Sequence, residues 1–204
     1  MKRYSKDEID EVAEILKNDG VVSVPTDTVY GICARINSKK AYEKLVDVKK
    51  RPSNKSFPVL CLDEEQIKSI AIVDVKAEKL IRAFMPGPIT LVLNKRPEVF
   101  SYINNAGTRI SDELAVRIVP LKILEELIEK TGSPLFLTSA NISGENVCNS
   151  LDDIEKVFPY LDGILEGDIS FGQASTIVDC TNGEIKIQRE GPISIEEIME
   201  VLKK

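Results

Sequence analysis

Two groups of residues in this chain have the chemistry of an anion-binding site. The first is the run K-K-R-P at positions 49–52, followed by Lys55. Arginine offers phosphate or carboxylate a planar fork of donors, and lysine offers a compact point charge. Residues 35–55 include eight basic and two acidic residues, a local excess of +6. The segment therefore predicts a site for a phosphorylated ligand, although lysines at a solvated helix end have the same composition.

The second group consists of four polar loops that each follow a predicted strand. They are Pro25–Gly31, Arg117 with Pro120, Thr138–Gly144 and Gly172–Thr176. In open α/β sheets, ligands bind outside the strand ends, where loops bring hydroxyls and backbone amides together. Serine, threonine and asparagine are also ordinary turn and cap residues. The prediction of a binding crevice therefore depends on the four loops occurring together.

The composition excludes several kinds of catalysis. The 204 residues include no histidine and no tryptophan, so Ser-His-Asp hydrolysis, Cys-His proteolysis and histidine-ligated zinc are absent. The chain contains neither G-x-x-x-x-G-K-[ST] nor G-x-G-x-x-G, the two common glycine-rich phosphate loops. A nucleotide, if bound, must be held by another arrangement of cations and hydroxyls.

The overall composition is that of a globular protein, with 43% hydrophobic and 29% charged residues and a net charge of -6. The four cysteines contain no C-x-x-C pair, which favours free thiols in a cytoplasm. The charged N-terminus and the lack of an apolar run of 18 residues predict neither a secretory leader nor a membrane span. We therefore expect a cytoplasmic protein.

Hydrophobic periodicity predicts helices and strands that alternate along the chain. A capping box at Ser5 and Glu8 begins the first helix, and residues 94–112 are expected to form a loop. The other predicted helices are 38–50, 63–71, 75–85, 121–130, 151–158 and 195–202, and the predicted strands are 21–25, 57–62, 89–93, 114–118, 134–137, 163–165, 176–178 and 185–188. Alternation without a repeat or linker predicts one α/β domain over residues 1–204.

Six motifs, in this order, resemble the signatures of the YrdC-like family. They are P-T-D-T-V-Y-G at 25–31, K-x-R-P at 49–52, P-G-P-I-T at 86–90, A-V-R at 115–117, T-S-A-N-I-S-G at 138–144 and S-T-I-V-D at 175–179. The resemblance covers about residues 8–200. It implies a twisted mixed sheet wrapped by helices around a concave basic groove, in the short, single-domain form of the family.

The resemblance also implies an activity, that of an L-threonylcarbamoyladenylate synthase. Such an enzyme joins L-threonine, bicarbonate and ATP into threonylcarbamoyl-AMP and pyrophosphate. A threonylcarbamoyl transferase complex would then use the adenylate to modify tRNA. Mg²⁺ is implied as the companion of ATP rather than by a carboxylate cluster, and no metal-binding residue is expected.

The resemblance further assigns roles to individual residues. Lys49 and Arg51 are expected to be the catalytic cations. L-Threonine and its carbamate are expected at Thr28, Arg117, Ser139 and Ser175, and the nucleotide at Arg51, Lys55, Glu113, Asn141, Asn149 and Arg189. Structural interpretations stay open beside these roles. Ser139 and Ser175 suit turns, Asn149 suits a helix cap, and Arg117 suits a paired charge at a sheet end.

Three departures from the family pattern put parts of the implied site in question. Leu60 stands where some relatives have histidine, and Ala174 stands where an acidic residue often precedes the serine. Glu190 replaces the usual proline after Arg189 and sets an anion beside a presumed nucleotide ligand.

Two alternative functions remain open at this stage. The first is a noncatalytic module that binds double-stranded RNA or tRNA through the basic segment. The net acidity and the aromatic content of 5% argue against it. The second is a paralogue with other carbamoyl-adenylate chemistry, such as that of hydrogenase-maturation proteins.

Overall fold

The structure is a computed structural model that describes residues 1–51, 57–99, 112–169, 174–181 and 183–203. These residues contain eleven strands: β1 (Arg3–Tyr4), β2 (Val22–Val24), β3 (Gly31–Arg35), β4 (Val59–Leu60), β5 (Ala71–Ile72), β6 (Ile89–Lys95), β7 (Glu113–Arg117), β8 (Leu135–Ser139), β9 (Gly163–Leu165), β10 (Thr176–Asp179) and β11 (Lys186–Arg189). They also contain seven α-helices: α1 (Ile9–Lys17), α2 (Lys39–Lys49), α3 (Glu64–Ile70), α4 (Val75–Phe84), α5 (Lys122–Thr131), α6 (Leu151–Val157) and α7 (Ile195–Lys203).

The strands form one mixed sheet. Its order is β1-β9-β2-β3-β8-β4-β7-β6-β10-β11, and β5 pairs with β6 outside this path. The pairs β1–β9, β2–β9, β4–β7 and β6–β10 are parallel, and the other pairs are antiparallel. The predicted α/β class with a twisted mixed sheet is confirmed, whereas periodicity alone contains no information on this strand order.

Local capping explains where the helices begin and end. The capping box before α1 is confirmed, because the Ser5 backbone N donates to Glu8 Oε2 at 2.8 Å. Ser38 begins α2 as expected, with its Oγ accepting from the Ala41 backbone N at 3.2 Å. Lys50 ends that helix in the left-handed conformation, with φ 47° and ψ 44°. This turn sends the side chains of the K-x-R motif in different directions.

The hydrophobic core occupies both faces of the sheet. Along β3, Ile32 and Ala34 belong to one buried cluster and Cys33 to another, as the alternation of side chains along a strand requires. The second cluster packs α1 and α5 against the sheet. All four cysteines are buried and free, without disulfides.

The predicted elements differ from the structure at several strands. β1, β3 and β5 are missed, because each is short or directly follows a loop or helix signal. The strand predicted at 57–62 is reduced to Val59–Leu60, and β8 continues through Ser139, which was expected in a loop. Within the described ranges, no helix is long and apolar enough to cross a bilayer.

Candidate functional site

A cavity of about 550 Å³ lies against one face of the sheet, along alternate residues of β7, at the end of β8 and near the beginnings of β3, β6 and β10. This volume is in the range of small-molecule sites. Apolar side chains such as Leu60 and Leu137 contribute to its walls. The polar part of the described lining consists of hydroxyls, charges and one amide, namely Thr26, Thr28, Thr90, Thr138, Ser139, Ser175, Arg51, Arg117, Arg189, Glu113 and Gln188.

Each of the four predicted loops contributes to this cavity. The contributing residues include Thr28, Arg117, Ser139 and Ser175, whereas Pro120 and residues 140–144 are not among the described lining residues. The first loop ends at Gly31, where an added Cβ would lie 2.6 Å from Leu137 Cδ1. A side chain here would have to displace Leu137, so Gly31 favours close approach of the loop to β8.

Arg117 is held in the cavity wall by an ion pair and a backbone contact. Its Nη2 donates to Asp27 Oδ2 at 2.5 Å, and its Nε donates to the Gly87 carbonyl at 3.2 Å. Burial lowers the pKa of Arg117, while Asp27 opposes this shift. The other carboxylate oxygen, Asp27 Oδ1, is buried without a hydrogen-bond partner in the described part of the chain. The paired-charge interpretation of Arg117 is thus confirmed, and Asp27 is a site residue that the sequence analysis missed.

Hydroxyl pairs line the cavity on two sides. Thr26 Oγ1 and Thr28 Oγ1 lie 3.2 Å apart, and Thr90 Oγ1 lies 2.8 Å from Ser175 Oγ. Arg189 donates from Nε and Nη2 to the Ser175 carbonyl at 3.0 and 2.8 Å. Ser175 is therefore fixed by Thr90 and Arg189 together. Thr90 was missed as a site residue, although it belongs to the quoted P-G-P-I-T motif.

Arg51 reaches the cavity from the end of the K-x-R motif. Its Cζ lies 4.6 Å from the centroid of the Phe57 ring, in a cation–π contact. Phe57 in turn packs edge-on against Tyr42, with ring centroids 5.8 Å apart. Burial lowers the pKa of Arg51. The aromatic ring thus restricts the guanidinium to the cavity wall, and Phe57 is a third contributor, after Asp27 and Thr90, that the sequence analysis missed.

Lys49 has a different environment from the one that the sequence led us to expect. Its side chain is 1% exposed and is not among the residues that line the cavity. The ammonium instead binds the backbone carbonyls of Ser139 and Asn141, each at 2.5 Å. Asn141 also lies outside the described lining, and its Nδ2 donates to the Glu145 carbonyl at 2.7 Å. The K-x-R and S-x-N motifs therefore contact each other behind the cavity wall.

One further expected nucleotide ligand, Asn149, lies outside the described cavity lining. Asn149 is exposed, and its backbone N donates to Asp153 Oδ2 at 3.3 Å. The cap of α6 is Ser150, which accepts from the Asp153 backbone N, so the interpretation of Asn149 as this cap is wrong. Lys55 lies outside the described residues.

The basic segment does not form one basic surface. Lys49 is buried, and Lys39 pairs with Glu43 inside the segment at 3.4 Å. Two further cations pair with carboxylates that the linear count ignores, Arg35 with Asp19 at 2.5 Å and Lys44 with Asp162 at 2.6 Å. Of the described members of the segment, Arg51 lines the cavity. The helical repeat of α2 distributes its lysines around the helix axis. Cations that are close together in the sequence therefore point in different directions and do not add up on one surface. This weakens the RNA-binding alternative.

The three departures from the family pattern have clear positions. Leu60 and Ala174 line the cavity. Glu190 Oε1 accepts from the Ile195 backbone N at 3.4 Å, at the first turn of α7, where the helix dipole favours an anion. Burial is the cause of the lowered pKa of Arg189. Glu190 therefore faces a helix N-terminus rather than the neighbouring arginine.

The described residues contain no group of three or more histidine, cysteine, aspartate or glutamate side chains that could hold a metal ion. A divalent cation at this cavity would therefore be bound mainly through a ligand's own oxygens. The described lining has three arginines and one glutamate among its charged residues, which suits an anionic small molecule.

Together, the mixed sheet and this cavity define an α/β protein with an arginine- and hydroxyl-lined site for a small anionic ligand. A model of the Sua5/YciO/YrdC family, described as "Telomere recombination", matches residues 14–191. The chain belongs to this family, as its motifs predicted.

Relatives in sequence agree with this assignment. The chain is 33% identical over 202 residues to a protein of Methanocaldococcus jannaschii, covering 95% of this chain and 92% of that protein. It is 31% identical to a threonylcarbamoyl-AMP synthase of Klebsiella pneumoniae, with 84% and 90% coverage. It is 30% identical to the Bacillus subtilis threonylcarbamoyl-AMP synthase, with 96% and 56% coverage, so it spans just over half of that longer relative.

Solved structures support the same fold. Pyrococcus abyssi Sua5 complexed with L-threonine superposes with a TM-score of 0.87 at 29% identity, covering 98% of this chain and 60% of that one. Escherichia coli YciO gives a TM-score of 0.83 at 22% identity, with 97% and 98% coverage. At that identity, the second likeness concerns the fold alone.

Proposed function

We propose that this protein is an L-threonylcarbamoyladenylate synthase, which makes threonylcarbamoyl-AMP and pyrophosphate from L-threonine, bicarbonate and ATP. The product would supply the threonylcarbamoyl group for tRNA modification by a downstream transferase complex. The observation that carries the proposal is the convergence of Arg51, Arg117 and Arg189 with hydroxyl pairs in one cavity. Relatives at about 30% identity that bear this name support it, as does the L-threonine complex of Pyrococcus abyssi Sua5.

The chemistry requires two anions to be held side by side. Bicarbonate carboxylates the threonine nitrogen with loss of water, and a carbamate oxygen then attacks the α-phosphorus of ATP. A new P–O bond forms to the carbamate while the bond to pyrophosphate breaks. Arginines offset the repulsion between carbamate and triphosphate and stabilise the charge that develops during transfer. Neither step requires histidine.

On the amino-acid side, we assign Arg117 to the substrate carboxylate. Asp27 and Gly87 occupy two donor contacts of its guanidinium, and the remaining N–H groups are available to a carboxylate. Thr28, Ser139 and Ser175 supply hydroxyls for the substrate hydroxyl and the carbamate.

On the nucleotide side, we assign Arg51 and Arg189 to the phosphates, with Glu113 at the edge of the cavity and Lys55 as a further cation. The triphosphate oxygens would supply most ligands for an accompanying Mg²⁺, because the described residues contain no carboxylate cluster for it. Asn141 contributes through its neighbours rather than by lining the described cavity, and Asn149 is exposed outside that lining, so its nucleotide contact stays a prediction.

The direct test incubates the purified protein with MgCl₂, ATP, bicarbonate and L-threonine and measures pyrophosphate and the adenylate. We expect pyrophosphate release that depends on L-threonine, and release without this dependence contradicts the proposal.

Arg51→Ala should lower turnover by about 100-fold or more, because it removes a cation from the transfer site. Arg82→Ala is the matched control, since Arg82 lies on the exposed face of α4 and pairs with Glu64 and Glu78. Carbamoyl phosphate in place of bicarbonate and threonine tests the alternative carbamoyl-adenylate chemistry.

A further inference from the structure

Lys49 makes a contact set that differs from that of a phosphate-binding lysine. Besides the carbonyls of Ser139 and Asn141, its Nζ lies 3.0 Å from Asn141 Oδ1. An ammonium has three N–H donors, whereas a neutral amine has two. These three acceptors therefore use the full donor capacity of a protonated Lys49, and none of it is left for a ligand.

The backbone completes this connection between α2 and the turn after β8. The Lys49 carbonyl accepts from the Ser143 backbone N at 3.1 Å. Lys49 thus binds residues 139–143 through both its side chain and its main chain. Together with the Ala140 backbone N, which donates to the Tyr30 carbonyl at 2.8 Å, these contacts set the position of the S-x-N motif relative to the cavity.

The orientation of the Asn141 amide determines the direction of the Ser139 hydroxyl. The Glu145 carbonyl can only accept, so it must face Asn141 Nδ2, and the Lys49 ammonium can only donate, so it must face Oδ1. Ser139 Oγ lies 2.7 Å from the same Oδ1. Its proton is therefore donated to Asn141, and its lone pairs remain for a ligand in the cavity.

We propose that Lys49 is a positioning residue that holds Asn141 and, through it, turns the acceptor side of the Ser139 hydroxyl toward the cavity, without contacting the triphosphate. The ligand group that meets Ser139 is then a hydrogen-bond donor rather than an oxyanion. This inference rests on the proposed function for its kinetic test and on geometry alone for its structural test.

The structural test uses the wild-type protein labelled with ¹³C and ¹⁵N, at a mildly acidic pH at which Lys49 is protonated. We expect hydrogen-bond scalar couplings from Lys49 Nζ to the carbonyl carbons of Ser139 and Asn141. Titration with Mg-ATP should shift the Arg51 Nε resonance and leave Lys49 Nζ in place. Absence of the couplings, or a Lys49 shift as large as that of Arg51, overturns the proposal. If Mg-ATP shifts neither signal, the proposed nucleotide site fails, while the couplings still decide on the connection to Asn141.

The kinetic test compares Lys49→Met with Arg51→Met. For Lys49→Met, we expect the threonine-dependent kcat to fall about tenfold or more while the KM for ATP changes by less than about threefold. Arg51→Met should raise the KM for ATP at least about tenfold. Lys17→Met is the matched control, because Lys17 is an exposed lysine in the last turn of α1. A Lys49→Met variant that loses ATP affinity as Arg51→Met does overturns the proposal.

A double-mutant cycle with Asn141→Leu separates positioning from a general loss of stability. If Lys49 acts through Asn141, the double variant should be no slower than the slower single variant. Additive losses in kcat would contradict the coupling. If Lys49→Met does not fold, as judged by circular dichroism, the wild-type couplings and the Mg-ATP titration decide the question.

Discussion

Asp27 and Arg117 form an ion pair in which Oδ2 and Nη2 are 2.5 Å apart and the two side chains are 16% and 11% exposed. Removing one partner leaves a charge with little access to water, which costs more than the pair itself contributes. We expect Asp27→Asn to lower the free energy of unfolding by about 3 kcal/mol. Urea denaturation at neutral pH measures this change.

Two controls make this prediction specific. Adding Arg117→Gln to Asp27→Asn should recover part of the loss, because the double variant has no unpaired charge. Asp10→Asn breaks the more exposed pair with Lys130 and should change stability little. An effect of Asp27→Asn no larger than that of Asp10→Asn would show that the pair is not a buried one.

Phe57 should matter to nucleotide binding although it carries no polar group. Phe57→Leu removes the ring face under the Arg51 guanidinium, and a cation–π contact of this kind contributes about 1–2 kcal/mol. We expect the KM for ATP to rise about 5- to 30-fold, as measured by pyrophosphate release at saturating L-threonine. Phe158→Leu is the control, because Phe158 is a buried ring outside the described cavity lining. An equal effect of both variants would reduce the role of Phe57 to core stability.

Much of the fold and the location of the site could be predicted from the sequence. Helix boundaries follow from local capping, as Ser38 shows at α2. The residue types of the loops that contain Thr28, Arg117, Ser139 and Ser175 predicted one binding crevice, and all four residues line the cavity. Because β7 and β8 run antiparallel, the cavity lies against a face of the sheet rather than at one edge. Residue types and their order along the chain were sufficient for both predictions.

The partners of the charged residues could not be predicted in this way. Lys49 and Arg51 are two positions apart, but the left-handed turn at Lys50 sends one into the protein and the other to the cavity. Asp162 pairs with Lys44 across more than a hundred residues of sequence, and no local pattern contains such a pair. The local +6 of the sequence therefore overstated the charge at the site.

Glu190 should be harmless to nucleotide binding despite its place beside Arg189. Its carboxylate faces the N-terminus of α7, so Glu190→Gln removes a charge that does not oppose the arginine. We expect the KM for ATP to change by less than about twofold and α7 to lose a small dipole contribution. A large gain in ATP affinity would show that the anion acts on Arg189.

Lys50 occupies a backbone conformation that favours glycine, with φ 47°. Left-handed dihedrals cost residues with a Cβ about 1 kcal/mol relative to glycine. Lys50→Gly should therefore raise the free energy of unfolding by about 0.5–1 kcal/mol, as measured by urea denaturation. The reciprocal control is Gly132→Ala at the end of α5, where φ is 69° and an added Cβ meets no atom within 4 Å. That variant should lose a similar amount of unfolding free energy. A gain for Lys50→Gly together with a loss for Gly132→Ala supports the backbone explanation, and changes of the same sign contradict it.

The stability of the protein should depend on the protonation of Lys49. Burial, followed by the charge of Arg51, lowers the pKa of Lys49 from 10.5 to about 7, and Cys148 opposes the shift. The unfolded chain then binds this proton more tightly, so stability rises with pH from about 7 toward 10.5.

We expect the free energy of unfolding of wild type, minus that of Lys49→Met, to increase as pH rises. The slope should approach about 1.4 kcal/mol per pH unit between about pH 7 and 8.5. Subtraction of the Lys49→Met values removes shared effects, including those of the buried thiols of Cys33 and Cys61. Their raised pKa values weaken the fold as pH rises through the range in which unfolded thiols ionise. A difference independent of pH would mean that the three oxygen acceptors compensate fully for burial and hold the pKa of Lys49 at its ordinary value.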